Sequence, residues 1–216
     1  MTTARDQRTL ALWLFVCCAA IFCMVVLGGV TRLTGSGLSM VEWEPLMGIL
    51  PPLDQAAWEE TFRLYQQYPE YLLKNYGMNL EEFKGIFWFE YAHRVLGRMI
   101  GLIFFLPLVY FIATRRVGRD LVPRLLGMFV LGGLQGLMGW YMVKSGLVED
   151  PHVSQYRLTA HLGLAFAIYA YIFWVALGFF FSGEARERRP DLAALRPFAA
   201  VLSLLVFVTV LSGGFV

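Results

Sequence analysis

The chain has 216 residues, of which 58% are hydrophobic and 16% aromatic, and its mean hydropathy is +0.59. These values exclude an ordinary soluble domain and define an integral membrane protein. A net charge of only +2 leaves no basic footprint for nucleic acid.

A short polar N-terminus, 1–9, precedes an apolar run over 10–30, long enough to cross the hydrocarbon and too long for a signal-peptide core. It reads as a retained span, and the absence of an Arg- and Ser-rich leader favours a bacterial source. All three cysteines, Cys17, Cys18 and Cys23, lie in this run and read as small hydrophobes, so no disulfide staples a loop. A long acidic stretch, 31–85, follows. Its first segment, Thr31-Arg32-Leu33-Thr34-Gly35-Ser36-Gly37, reads as a turn, with Arg32 at a pocket mouth or as an interfacial anchor. Asp54 is placed to cap a short amphipathic helix whose Trp58, Phe62 and Tyr65 recur at i, i+4 and i+7. Asn79-Leu80-Glu81-Glu82 reads as a capping box that starts the next helix early. That helix runs over 80–113, about 50 Å at 1.5 Å per residue, with its span at 87–113. Further spans are predicted over 121–143, 157–181 and 197–216. Gly132, Gly133, Gly136 and Gly139 include a GxxxG pattern that reads as close helix packing, and Gln135 among them is suited to donate to a buried partner.

Arg5, Arg8, Arg115, Arg116, Arg119, Arg124, Arg186, Arg188, Arg189 and Arg196 all fall on one side of this topology. Glu42, Glu44, Asp54, Glu59, Glu60, Glu70, Glu81 and Glu82 fall on the other. The positive-inside rule therefore predicts a cytoplasmic N-terminus and an outer acidic loop, in a multi-pass protein of the bacterial inner membrane. Phe22, Val25, Gly28 and Gly29 recur as Phe207, Val210, Gly213 and Gly214 at an offset of 185. The expected fold is all-α: a four-span bundle over 1–196, and, over 197–216, the first span of a second, pseudo-symmetric bundle cut short in a parent of about eight spans.

Of three histidines, His93 and His161 fall inside predicted spans, where an ionisable group is costly unless compensated. Each lies 20 residues from the inner end of its span, at Ala113 and Phe181, so both sit at matched depth near the outer edge of the hydrocarbon. Two imidazoles facing across a bundle suit a haem iron or another metal. The plainer reading of His93 is an interface histidine bonded to a carbonyl or to Glu90. His152, in Glu149-Asp150-Pro151-His152, reads as a solvated loop residue. Glu90, His93 and Gly97 share one helix face within about 60°. Gly97 leaves room for a flat macrocycle, and Arg94 and Arg98 flank the face, where their forked guanidinium groups suit propionates. Glu90 reads two ways: as the i+4 ion-pair partner of Arg94, or as a carboxylate at a porphyrin edge, acting as acid or base or stabilising a developing cation.

The sequence resembles the haem A synthase family in its proteobacterial and mitochondrial form. The resemblance runs through Gly28-Gly29-Val30-Thr31-Arg32-Leu33-Thr34-Gly35-Ser36-Gly37-Leu38-Ser39 and Glu82 to Arg94, with Phe89-Glu90-Tyr91-Ala92-His93-Arg94 at its end. It continues through Gly97-Arg98, Gln135-Gly136-Leu137-Met138-Gly139-Trp140-Tyr141-Met142-Val143 and Tyr156-Arg157-Leu158-Thr159-Ala160-His161-Leu162. It implies two pseudo-symmetric four-helix bundles and oxidation of the C8 methyl of haem O to the formyl of haem A, for terminal oxidases. It implies His93 and His161 as axial haem ligands of the N-terminal half, Glu90 as its essential carboxylate, and haem O as the substrate held there. A haem B cofactor is implied in the other half, whose histidine pair this chain lacks, so activity of these residues by themselves is not expected. Haem O synthase (a farnesyltransferase), an electron donor and a homo-oligomer are implied as partners, beside the lipid bilayer. The chain has no cysteine pair in the outer loop, which places it in the cysteine-free branch. A bis-histidine b-type cytochrome that only transfers electrons, and a haem-free scaffold for oxidase assembly, are the competing readings.

Overall fold

The computed structural model describes residues 4–42, 50–148, 150–181 and 193–215. The described residues form seven helices and no strand. These are α1 (Ala4–Leu33), α2 (Gln55–Tyr65), α3 (Pro69–Leu73), α4 (Leu80–Ala113), α5 (Val122–Lys144), α6 (Gln155–Phe180) and α7 (Leu195–Gly213). Five of them, α1, α4, α5, α6 and α7, are long and apolar enough to cross a membrane. The chain is thus an all-α polytopic membrane protein, and each span agrees with its sequence expectation to within a few residues at the ends. Arg186, Arg188, Arg189, Glu44 and Glu149 lie outside the described residues.

Four spans close a ring: α1 packs on α4 and α6, and α5 packs on α4 and α6. The two histidine-bearing helices, α4 and α6, therefore stand at opposite corners. One apolar cluster fills the end of the bundle near the start of α1, with Leu10, Trp13, Leu14, Cys17 and Cys18 against Phe104, Leu108, Leu125, Met128 and Ile172. Cys17 and Cys18 are buried there as small hydrophobes, whereas Cys23 is exposed. Pro107, inside α4, has no N–H to give to the carbonyl one turn back; Trp13 Nε1 donates to that oxygen, on Ile103, at 2.9 Å.

The acidic stretch folds onto the N-terminal extension of α4. Asp54 accepts from Ala57 N at 2.8 Å and starts α2. Asn79 and Glu82 exchange their capping-box bonds at 2.9 and 3.0 Å, so α4 begins well before its apolar span. The Trp58, Phe62 and Tyr65 face of α2 packs on Phe83 and Phe87 of α4, with ring centroids 4.9 to 5.1 Å apart. This is a second apolar cluster, separate from the first. Helix α3 had no sequence expectation: its five residues are too few to show a period, and only Pro69 at its first turn marks it. Helix α7 packs on α6 and buries no residue of its own.

Candidate functional site

His161 and His93 lie between the two apolar clusters and belong to neither. On α5, Gln135 and Gly139 are one turn apart and together form a seat for the His161 ring. A Cβ on Gly139 would stand 3.0 Å from His161 Cε1, tighter than ordinary contact, so an alanine there would push the ring back from α5. Gln135 Nε2 lies 3.3 Å from the imidazole Nε2 and donates to the His161 carbonyl at 3.1 Å. Nδ1 of His161 and Oε1 of Gln135 are buried with no hydrogen-bond partner.

On the other side, a Cβ on Gly28 of α1 would stand 3.1 Å from His93 Nε2. Gly28 is thus the seat of His93, a role the sequence did not reveal; the glycine pair at 28–29 stood out only as a repeat mark. Gly97, read as room for a macrocycle, receives Met24 of α1: a Cβ there would meet the Met24 methyl at 3.2 Å.

Glu90 is buried on α4 one turn before His93. Its Oε2 accepts from Ser39 Oγ and from Met40 N, both at 2.8 Å. Its Oε1 accepts from Arg94 Nη2 at 2.6 Å and from Nε at 3.1 Å. Arg94 also donates to the carbonyls of Met40 and Glu42 at 2.6 and 3.1 Å. The ion pair expected at i+4 is therefore present, and it carries a second load, because it ties the segment after α1 down onto α4. Neither Ser39 nor Met40 could be found as a Glu90 partner from spacing, since both lie some 50 residues upstream.

Arg98 lies one turn inward of Arg94 and within electrostatic reach of it. Arg32 is turned toward α7 and donates from Nη1 to the Gly213 carbonyl at 2.9 Å. His152 is exposed and pairs with Asp150, as expected of a solvated loop residue. Outside the bundle, Tyr65 and Glu70 form a buried polar knot. Tyr65 Oη donates to Glu70 Oε2 at 3.1 Å and accepts from Asn75 Nδ2 at 2.7 Å. Burial pushes the Glu70 carboxyl up to about 7, with the Glu90 charge adding to the rise and Tyr65 and Lys74 opposing it. Burial likewise pushes the Tyr65 phenol well above its usual range, which keeps it a donor.

These features fit a bis-histidine haem. Two imidazoles come from opposite corners of the ring, each seated closely against a glycine of the helix beside it. Architecture and site together define a polytopic helical membrane protein with a paired-histidine layer toward one face. The chain belongs to the COX15-CtaA family of cytochrome oxidase assembly proteins, whose model matches residues 11–216. It is 62% identical over 210 residues to a heme A synthase of Nitrosospira multiformis, covering 97% of this chain and 59% of that protein. Heme A synthases of Nitrosomonas eutropha and Paramagnetospirillum magneticum are 57% and 54% identical over 213 and 212 residues, covering 98% and 97% of this chain and 60% of each relative. The chain thus spans about three-fifths of the length of these relatives. No solved structure matches it.

Proposed function

We propose that this chain is the substrate-holding, N-terminal part of a haem A synthase, which oxidises the C8 methyl of haem O to a formyl group and so gives haem A for cytochrome oxidase. The observation that carries this reading is the convergence of His93 and His161 from opposite corners of one four-helix ring, each against a glycine of the helix beside it. Haem O would be the substrate, with His93 and His161 as the residues that would hold its iron. The ring α1–α4–α5–α6 is the haem-holding bundle. Helix α7, which buries nothing of its own, opens a second bundle that carries haem B.

The chain's own residues have distinct tasks. His93 and His161 hold the iron. Arg94, Arg98 and Arg32 supply positive charge for propionates around the histidine layer. Glu90 is the carboxylate beside the reacting methyl, where it stabilises developing positive charge or delivers water. Its Oε2 is fixed by the Ser39 hydroxyl and the Met40 N–H, so it meets that charge without reorganising. The basic helix ends, with Arg5, Arg8, Arg115, Arg116, Arg119, Arg124 and Arg196, face the cytoplasm in the inner membrane. Haem O synthase and an electron donor are the working partners, with a homo-oligomer as the assembly.

A second reading, a b-type cytochrome that only transfers electrons, is favoured by one observation: all the contacts of Glu90 are structural, to Arg94, Ser39 and Met40. The full-length protein with Glu90→Ala, produced in cells lacking haem A synthase, separates the two when extracted haems are resolved by chromatography. Loss of haem A with haem O still bound supports the enzyme and the role of Glu90. Retained haem A removes Glu90 from the chemistry, and haem A unaffected by His93→Ala or His161→Ala overturns the whole reading.

A further inference from the structure

The two histidines are held differently. His93 is seated by shape, on Gly28, and makes no hydrogen bond to a described residue. His161 is seated by shape on Gly139 and by polarity on Gln135. An amide nitrogen only donates. The Gln135 amide is oriented by its bond to the His161 carbonyl, so its nitrogen, not its oxygen, faces the ring. Nε2 of His161 is therefore the acceptor, and the neutral ring carries its proton on Nδ1, the buried nitrogen that has no partner. In a ligating histidine, the hydrogen bonds around the ring set which nitrogen offers its lone pair.

From this geometry we infer that Gln135 and Gly139 are positioning residues for the haem ligand His161. Gln135 selects the tautomer with the Nε2 lone pair free of a proton and keeps that nitrogen hydrogen-bonded until an iron takes it. Gly139 fixes the ring's depth between α5 and α6. When the amide leaves Nε2, its second N–H remains on the His161 carbonyl, so α5 and α6 stay tied. The inference rests on the reading of His161 as an iron ligand and goes beyond it by naming what presents that ligand. Gly139 does more than let two helices pack: the three atoms nearest its missing Cβ all belong to the His161 ring.

The test uses this chain purified in detergent and titrated with haemin, read by the Soret band and by low-spin EPR. Gln135→Leu is expected to weaken haemin affinity severalfold, because the ring loses the group that holds its tautomer and orientation before iron binds, a loss partly offset because the amide no longer has to leave Nε2. At saturating haemin it is also expected to raise the high-spin fraction. Gln135→Glu keeps the shape but offers an acceptor, which draws the proton onto Nε2, so its loss is expected to be at least as large. Gly139→Ala displaces the ring and is expected to raise the high-spin fraction further. Wild-type affinity and a wild-type low-spin signal in Gln135→Leu overturn the inference. If that variant does not fold, Gln135→Glu decides by the same two readouts. His161→Ala is the control: if it keeps the low-spin signal, the ligand reading itself fails, whereas loss in His161→Ala with no change in Gln135→Leu removes only the positioning role.

Discussion

Glu90 and His93 are three residues apart on α4, yet the outer clamp and the histidine layer are built in opposite ways. Both oxygens of Glu90 are taken, by a hydroxyl, a backbone N–H and a guanidinium, and that guanidinium holds two further carbonyls. In the histidine layer, His93 has contact without hydrogen bonds, and His161 has one amide and one buried nitrogen without a partner. Buried polar groups are normally satisfied, and a closed network fixes a structure. The clamp therefore holds the chain together, whereas the histidine layer is lightly tied: His93 by shape alone, and His161 Nε2 by one long amide contact that a ligand can displace.

The comparison breaks first at the histidines. His93→Ala and His161→Ala are each expected to abolish low-spin haemin binding while leaving the melting of the haem-free chain nearly unchanged, since neither ring closes a network. Visible spectroscopy and circular dichroism on the same samples check both halves of that statement. The clamp should answer in the reverse way. Arg94→Ala leaves the Glu90 charge buried without its cation, and breaking a buried pair in this manner costs about 3–5 kcal/mol. It should lower the melting temperature and open the segment 36–42 to protease, and adding Glu90→Gln should recover part of the loss. Equal melting of Arg94→Ala and the parent would show that the clamp is not structural.

The sequence shows one side of this contrast better than the other. Period, apolar run length and the caps at Asp54 and Asn79 are local signals, and they foretold every span and α2. The i+4 pair Glu90–Arg94 is local too, and so is the depth match of His93 with His161. Contacts between distant segments carry no such signal. Ser39 and Met40 reach Glu90 only because the chain turns after α1 and lies back over α4. Gly28 meets His93 because α1 and α4 run antiparallel in contact, and a glycine in a sequence does not say which neighbour comes close. Gln135 was legible as a donor but not as a donor to His161, since that needs the register of α5 against α6.

The outer layer contains a second buried carboxyl that sharpens the point. Glu90 is buried beside a cation, whereas Glu70 is buried beside a phenol, Lys74 and the Glu90 charge itself. Burial raises Glu70 to about 7, so between about 4.5 and 7 the folded chain binds a proton that the unfolded chain has released. Stability then falls as pH rises through that window and levels off above it. The shift corresponds to about 3 kcal/mol at most. Measured against Glu70→Gln at pH 5, 6, 7 and 8, the unfolding midpoint of the parent is expected to lose ground as pH rises to about 7 and to hold steady above it. A parent that gained on Glu70→Gln across this range would place the Glu70 proton elsewhere.

The smallest effect belongs to the cap that lets α4 carry both layers. Asn79 accepts from Glu82 N while Glu82 accepts from Asn79 N, which satisfies two donors that the helix end otherwise leaves open. Asn79→Ala removes one of these bonds at a cost of about 1 kcal/mol. Because the cap lies at the exposed end of α4, beyond Phe83 and Phe87, fraying should reach α2 and the Tyr65–Glu70 knot before it reaches Glu90. Hydrogen exchange should therefore quicken over α2 and the first turns of α4, with the amides around His93 and the haemin affinity unchanged. If haemin affinity fell together with the cap, the clamp and the histidine layer would be one cooperative unit and not two.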